Sequence, residues 1–307
     1  MADELDFSKS PKSAATGKAE AAAHGAVQPT AQSPLYSPPL ALEFFRSGGT
    51  LEQKPAGKPF FTENEKAGGL FSKGARMYLL LEGEVGLMIK NRFFGVVKQG
   101  DVFGELAVIA SLPRSATAMA KTDCRVLSLD EKQFHAALQK TPEFALMLMS
   151  VMAQRLRQSV EKLNAAGAAA AAPVDRSNIF DKKMMAELTR ELADQPPAPF
   201  DKGKAIITAG AAGAFMYVVV EGRVAITVGD RVVERVGPGG IFGEMALVDR
   251  SARAASATAE SACALFSIGR NDFIGLVKAR PAFGALLLKA LAERMQNLAQ
   301  QVAQAQI

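Results

Sequence analysis

The sequence predicts an α+β chain of two tandem antiparallel β-rolls, jelly-roll-like, each with flanking helices and a C-terminal amphipathic helix. Three observations predict it. Residues 77–157 align with 216–296 without a gap, at a constant spacing, with about two dozen identities. Within each copy, short alternating apolar runs are bounded by glycine-containing turns, the pattern of a sandwich or barrel. At the end of each copy, apolar residues recur at helical spacing.

The elements follow in chain order. Residues 1–40 are rich in Ala, Ser, Pro, Gly and Lys and poor in large apolar residues, so a disordered tail is expected. The first domain covers 41–163, an Ala-rich linker 164–176, and the second domain 177–307. Matched pairs include Met77/Met216, Tyr78/Tyr217, Glu82/Glu221, Gly104/Gly243, Glu105/Glu244, Arg114/Arg253, Cys124/Cys263 and Phe144/Phe283. In the second copy, Asn178 to Leu192 has helical periodicity and ends before Pro196-Pro197. Met216 to Val220 reads as a strand ending at a Glu221-Gly222 turn. Arg223 to Val228 and Arg231 to Val236 form a hairpin across Gly229-Asp230, with Gly first. Ala262 to Ile268 alternates again. The closing helices carry Phe144, Leu148, Met152, Leu156, Val160 and Leu163, then Phe283, Leu287, Leu291, Met295, Leu298 and Val302. Leu148 and Leu287 are expected in the core rather than as ligand lids.

Composition narrows the function. Apolar residues make up 49% and charged residues 22%, ordinary for a globular chain. No run approaches the ~18 apolar residues of a spanning helix. Asp3, Glu4 and Asp6 oppose a secretory signal. Two cysteines, Cys124 and Cys263, make no disulfide framework and suit burial in a reducing cytoplasm. Two histidines, His24 and His135, supply neither a metal site nor acid–base chemistry, so no catalytic or metal-binding residue is expected. A net charge of +5 suits an anionic ligand.

One segment per copy departs from strand pattern. It runs from Gly100 to Ala118, and again from Gly239 to Ala257. A Gly-Glu pair opens a one-turn helix, and an arginine follows the glutamate by nine residues. Gly104 permits close backbone approach to a ligand. The amides of Leu106 and Ala107 are unpaired donors at a helix start. Glu105 can accept from hydroxyls, and the Arg114 guanidinium can fork onto a phosphate. Ser115, Ala116 and Thr117 leave room. One carboxylate, one guanidinium and free amides fit a phosphorylated sugar. A surface turn with an ordinary salt bridge is the alternative, and the twofold recurrence at one spacing argues against it.

These segments resemble the phosphate-binding cassette of the cyclic nucleotide-binding domain family, Phe-Gly-Glu-x-Ala-Leu followed by Arg-x-Ala. The matches are Phe103-Gly104-Glu105-Leu106-Ala107-Val108 with Arg114-Ser115-Ala116, and Phe242-Gly243-Glu244-Met245-Ala246-Leu247 with Arg253-Ala254-Ala255. Val108 departs from the usual Leu. The resemblance covers most of 41–307 and is weakest in 41–76. It implies that Glu105 and Glu244 bind a ribose hydroxyl and that Arg114 and Arg253 bind a cyclic phosphate. Backbone groups of Gly104, Leu106, Ala107 and Ala116, and of Gly243, Met245, Ala246 and Ala255, would assist. In some cGMP-selective members a hydroxyl follows the arginine. Ser115 stands there in the first copy and Ala254 in the second. The second site is therefore expected to prefer cAMP, and the first leaves cAMP and cGMP open.

The resemblance extends to regulatory subunits of cAMP-dependent protein kinase and to bacterial regulators with one such domain. Residues 1–60 show no inhibitor sequence of Arg-Arg-x-Ser/Ala type; Lys9-Ser10-Pro11-Lys12 is a poor match. No helix-turn-helix segment is visible, so DNA is not an expected partner. The expectation is a non-enzymatic cytoplasmic sensor with two sites, acting on a separate effector protein. Its last helix covers its own domain or pairs in a homodimer. A scaffold that no longer binds nucleotide is the competing expectation.

Overall fold

Tight turns set the strand pairings of each roll. In the computed structural model, which describes residues 36–66, 74–165 and 172–305, Val85–Ile89 pairs with Arg92–Val97 across Lys90-Asn91. Both turn residues have positive φ, 47° and 61°, which matches the twist of the flanking strands. In the second copy Val224–Val228 pairs with Arg231–Val236 across Gly229-Asp230, with Gly229 at φ 58°. The N-terminal tail predicted for 1–40 lies outside the described residues up to residue 35. Residues 166–171 of the Ala-rich linker also lie outside them.

The chain divides into two compact units between Met147 and Leu148. The first contains two four-stranded antiparallel sheets. One is ordered Thr50–Lys54, Cys124–Asp130, Arg76–Glu82, Val102–Phe103. The other is ordered Pro59–Phe61, Thr117–Ala120, Val85–Ile89, Arg92–Val97. Their inner faces bury Phe61, Tyr78, Leu80, Val85, Leu87, Val97, Phe103 and Val126 in one core. Each large side chain buried this way contributes roughly 1.5–3 kcal/mol. The second unit repeats the plan, with Ala198–Phe200, Cys263–Gly269, Phe215–Glu221 and Ile241–Phe242 in one sheet. The other holds Ala205–Ile207, Ser256–Ala259, Val224–Val228 and Arg231–Val236, with Val174–Asp175 added at its edge. That added pair is parallel.

The turn at Gly222 shows why glycine stands there. Its φ is 85°, and a Cβ would sit 2.2 Å from the Ala262 carbonyl oxygen. Gly83 occupies the same turn of the first unit at φ 96°, 2.5 Å from the Asp123 carbonyl oxygen. Gly222→Ala is expected to cost about 1–3 kcal/mol through strain and clash. A melting temperature unchanged from wild type would contradict this.

Helices flank each roll. In the first unit Pro38–Arg46 buries Phe44 and Phe45 completely, and the Phe44 ring stacks on Phe144 at 3.8 Å. Glu131–Lys140 begins with a capping box between Asp130 and Gln133. In the second unit the helix predicted from Asn178 starts only at Lys182. Asn178 has φ 60°, incompatible with a helix start, and Asp181 caps the Met184 amide instead. The closing helices are Glu143–Ala165 and Pro281–Ala305, preceded by Glu131–Lys140 and Arg270–Ala279. Leu148 and Leu287 are fully buried core residues. The side chains of Leu163 and Val302 lie outside the described residues. Because the unit boundary falls within the first closing helix, residues from Leu148 onward belong to the second unit.

Candidate functional site

Each cassette begins where a two-residue strand ends. Val102–Phe103 pairs with Arg76–Glu82, and Ile241–Phe242 with Phe215–Glu221. The next residue is a left-handed glycine, Gly104 at φ 73° and Gly243 at φ 82°. It turns the chain into the short helices Glu105–Ala110 and Met245–Asp249. A Cβ on either glycine would lie 2.9 Å from Nη1 of the following cassette arginine. Glycine is thus required for the backbone turn and for the close approach of the guanidinium.

Both arginines are buried, Arg114 at 7% exposure and Arg253 at 9%. Arg114 Nη1 donates to the Gly104 carbonyl at 2.8 Å, and Nη2 to the Arg76 carbonyl at 2.9 Å. Its guanidinium lies 4.0 Å over the Phe61 ring. Arg253 repeats this: Nη1 donates to Gly243 at 2.7 Å and Nη2 to Phe215. Among the described residues, the hydrogen bonds of both cations go to carbonyls rather than carboxylates. Burial pulls the pKa of each below the usual arginine value.

The glutamates are more deeply buried, Glu105 at 4% and Glu244 at 1%. Glu244 Oε1 accepts from Arg294, whose Nε also donates to Glu234 at 3.1 Å and whose Nη2 donates to the Ile241 carbonyl. Burial opposes the charge on Arg294, but Glu234 and Glu244 more than offset it and hold its pKa above the ordinary value. Arg176 extends the network, donating to Glu293 at 2.9 Å and lying 3.6 Å from Glu234. Glu244 Oε2 has no hydrogen-bond partner among the described residues.

Every residue singled out in the second copy (Gly243, Glu244, Met245, Ala246, Arg253, Ala254, Ala255) lines one cavity of about 100 Å³. In the first copy Glu105, Leu106, Ala107, Arg114 and Ala116 are buried together in the equivalent cassette, while Ser115 is exposed. Sequence reasoning missed Leu156, Val160, Val174, Arg294 and Asn297, all of which line the second cavity. Arg294 left a signal: Arg155 is its identical counterpart in the repeat, and both are buried.

A left-handed glycine, a buried carboxylate and a buried guanidinium are thus assembled once in each β-roll. The cyclic nucleotide-binding domain family matches residues 53–141 and 197–280, more than half of the chain, and the chain belongs to it. It carries tandem cyclic nucleotide-binding regulatory domains of a family that is generally non-catalytic. The cAMP-dependent protein kinase type II regulatory subunit of Drosophila melanogaster is 29% identical over 192 residues, which are 60% of this chain and 44% of that protein. The chain thus spans less than half the length of this relative. A solved regulatory domain of Toxoplasma gondii PKA with cAMP matches at 22% identity and a TM-score of 0.29, covering 77% of this chain and 85% of that one. The N-terminal domain of a Streptomyces coelicolor A3(2) transcriptional regulator matches at 25% identity and a TM-score of 0.33, covering 41% and 91%. These TM-scores carry no weight for the ligand. Among the described residues, no helix is long and apolar enough to cross a membrane. No group of three or more His, Cys, Asp or Glu residues there could hold a metal ion.

Proposed function

We propose that this chain is a two-site cyclic-nucleotide sensor that regulates a separate effector protein and has no catalytic activity of its own. Arg114 and Arg253 take the cyclic phosphate, assisted by the amides of Leu106 and Ala107 and of Met245 and Ala246. Glu105 and Glu244 take the ribose 2′-hydroxyl. One observation carries the reading: in the second cavity the buried Arg253 guanidinium, which donates to two carbonyls, lines the same space as a Glu244 carboxylate oxygen that has no hydrogen-bond partner among the described residues. A buried cation without an anion and a buried oxygen without a donor are both costly, and a phosphate monoanion and a hydroxyl relieve both at once. cAMP is the proposed ligand of the second site, where Ala254 offers no hydroxyl to a guanine amino group. The first site accepts cAMP or, through Ser115, cGMP. Two buried free cysteines suit a reducing, cytoplasmic setting.

Calorimetric titration of the full chain with cAMP, then cGMP, tests the proposal. The expected result is saturable cAMP binding near two per chain. Absence of heat together with an unshifted melting temperature for both ligands would leave the scaffold reading standing instead.

A further inference from the structure

The second cavity is lined in part by side chains to which no ligand role has been given. Leu156 and Val160, one helical turn apart, line it from one side and Leu298 from another. Val160 packs with Ile226, Val228, Val233, Ala255 and Leu298 in one apolar cluster. Ala255 is two residues from Arg253, so this apolar filling abuts the phosphate-directed cation. Arg157 lies between Leu156 and Val160 and fastens the segment to the cassette. Its Nε and Nη2 donate to the two carboxylate oxygens of Asp249, the latter at 3.0 Å, and its Nη1 donates to the Ala252 carbonyl. Asp249 is the last residue of the cassette helix, and its side chain is only 3% exposed in this pair. Ser150 adds a bond to the Val248 carbonyl at 3.3 Å.

Two facts turn these contacts into more than packing. The cavity that remains, about 100 Å³, is well below the ~300 Å³ at the small end of ligand pockets. The latch joins the closing helix of the first repeat to the cassette of the second, a junction that a single roll does not contain.

We propose that residues 156–160 form an autoinhibitory plug in the second site, with Arg157–Asp249 as its latch. The inference rests on reading the second cassette as a cyclic-nucleotide site. Ligand and plug compete for one volume, so the apparent affinity falls by the fraction of chains in which the plug is open. Weakening the latch therefore tightens binding.

The test uses the full chain carrying Arg114→Ala, so that cAMP heats report the second site alone. Adding Arg157→Gln is expected to tighten the Kd about five- to tenfold while lowering the melting temperature of the free protein. Val160→Ala should tighten binding without touching the ion pair. The charge exchange Arg157→Asp with Asp249→Arg should return the Kd toward that of the parent. A latch with a purely structural role would lower the melting temperature and weaken binding, so a Kd unchanged or weaker in Arg157→Gln overturns the plug. Binding that appears only once Arg157 is replaced supports it in its strongest form. If cAMP binds none of these chains and wild type titrates like Arg253→Ala, the cyclic-nucleotide reading itself has failed and the plug with it. If wild type loses one site on Arg253→Ala yet latch variants gain nothing, only the plug has failed.

Discussion

Arg253→Ala removes cAMP from the second site and Arg114→Ala removes it from the first, each taking the stoichiometry from two to one. The expected loss at the altered site is on the order of 10²–10⁴ in affinity, because charge-assisted hydrogen bonds contribute roughly 1.5–3 kcal/mol each. The geometry explains why alanine is so costly. Each guanidinium is already oriented, with its terminal nitrogens on the carbonyls of the cassette glycine and of the preceding long strand. Binding therefore pays little to order it. Lysine keeps the charge but not the fork, so Arg253→Lys should fall between wild type and alanine. Calorimetry on the four chains checks the order, and equal affinity of Arg253→Ala and wild type at the second site would remove the arginine from the binding machinery.

Arg294→Leu has the largest expected effect on stability. The wild-type guanidinium serves Glu244, Glu234 and the Ile241 carbonyl at once, and all three charged side chains are shielded from solvent. Removing the cation strands two carboxylates beside one another, with Arg176 3.6 Å from Glu234. Breaking a buried pair from one side costs about 3–5 kcal/mol. At roughly 2–4 °C per kcal/mol for a unit of this size, the second unit should melt on the order of ten degrees lower. Arg294→Leu with Glu244→Gln should recover part of the loss, since one stranded charge is gone. Thermal unfolding of wild type and the two variants decides it; a wild-type melting temperature for Arg294→Leu would show that the network carries no net stability.

The repeat made both cassettes legible before any coordinates. Glycine, glutamate and arginine at one spacing are local chemistry, and local spacing survives in sequence. The second-copy hairpin was legible for the same reason: Gly229-Asp230 and the alternation around it fix a two-residue turn. What sequence could not supply was the destination of an apolar helix face. Leu156 and Val160 fit a core stripe as well as a cavity wall, because periodicity reports which face is apolar and not what it meets. The Arg157–Asp249 pair spans 92 positions, with no local pattern to mark it. Val174–Asp175 is a two-residue strand whose pairing depends on an edge elsewhere in the chain. The helix start at Lys182 turned on one left-handed residue, Asn178, which periodicity does not sense.

The stacked tyrosines of the two cores have an optical consequence. The chain has no tryptophan and three tyrosines. Tyr78 stacks on Phe103 at 5.1 Å and Tyr217 on Phe242 at 5.2 Å, and each of those phenylalanines is joined directly to its cassette glycine. Tyr78 is also buried beside Arg114, and burial raises its phenol pKa despite that positive neighbour. Each cassette thus has a native chromophore stacked on the phenylalanine that precedes its glycine. Replacing Tyr36 and one of the two core tyrosines with phenylalanine leaves a single emitter with little change of shape, so ultraviolet emission can follow the two cassettes separately without a label.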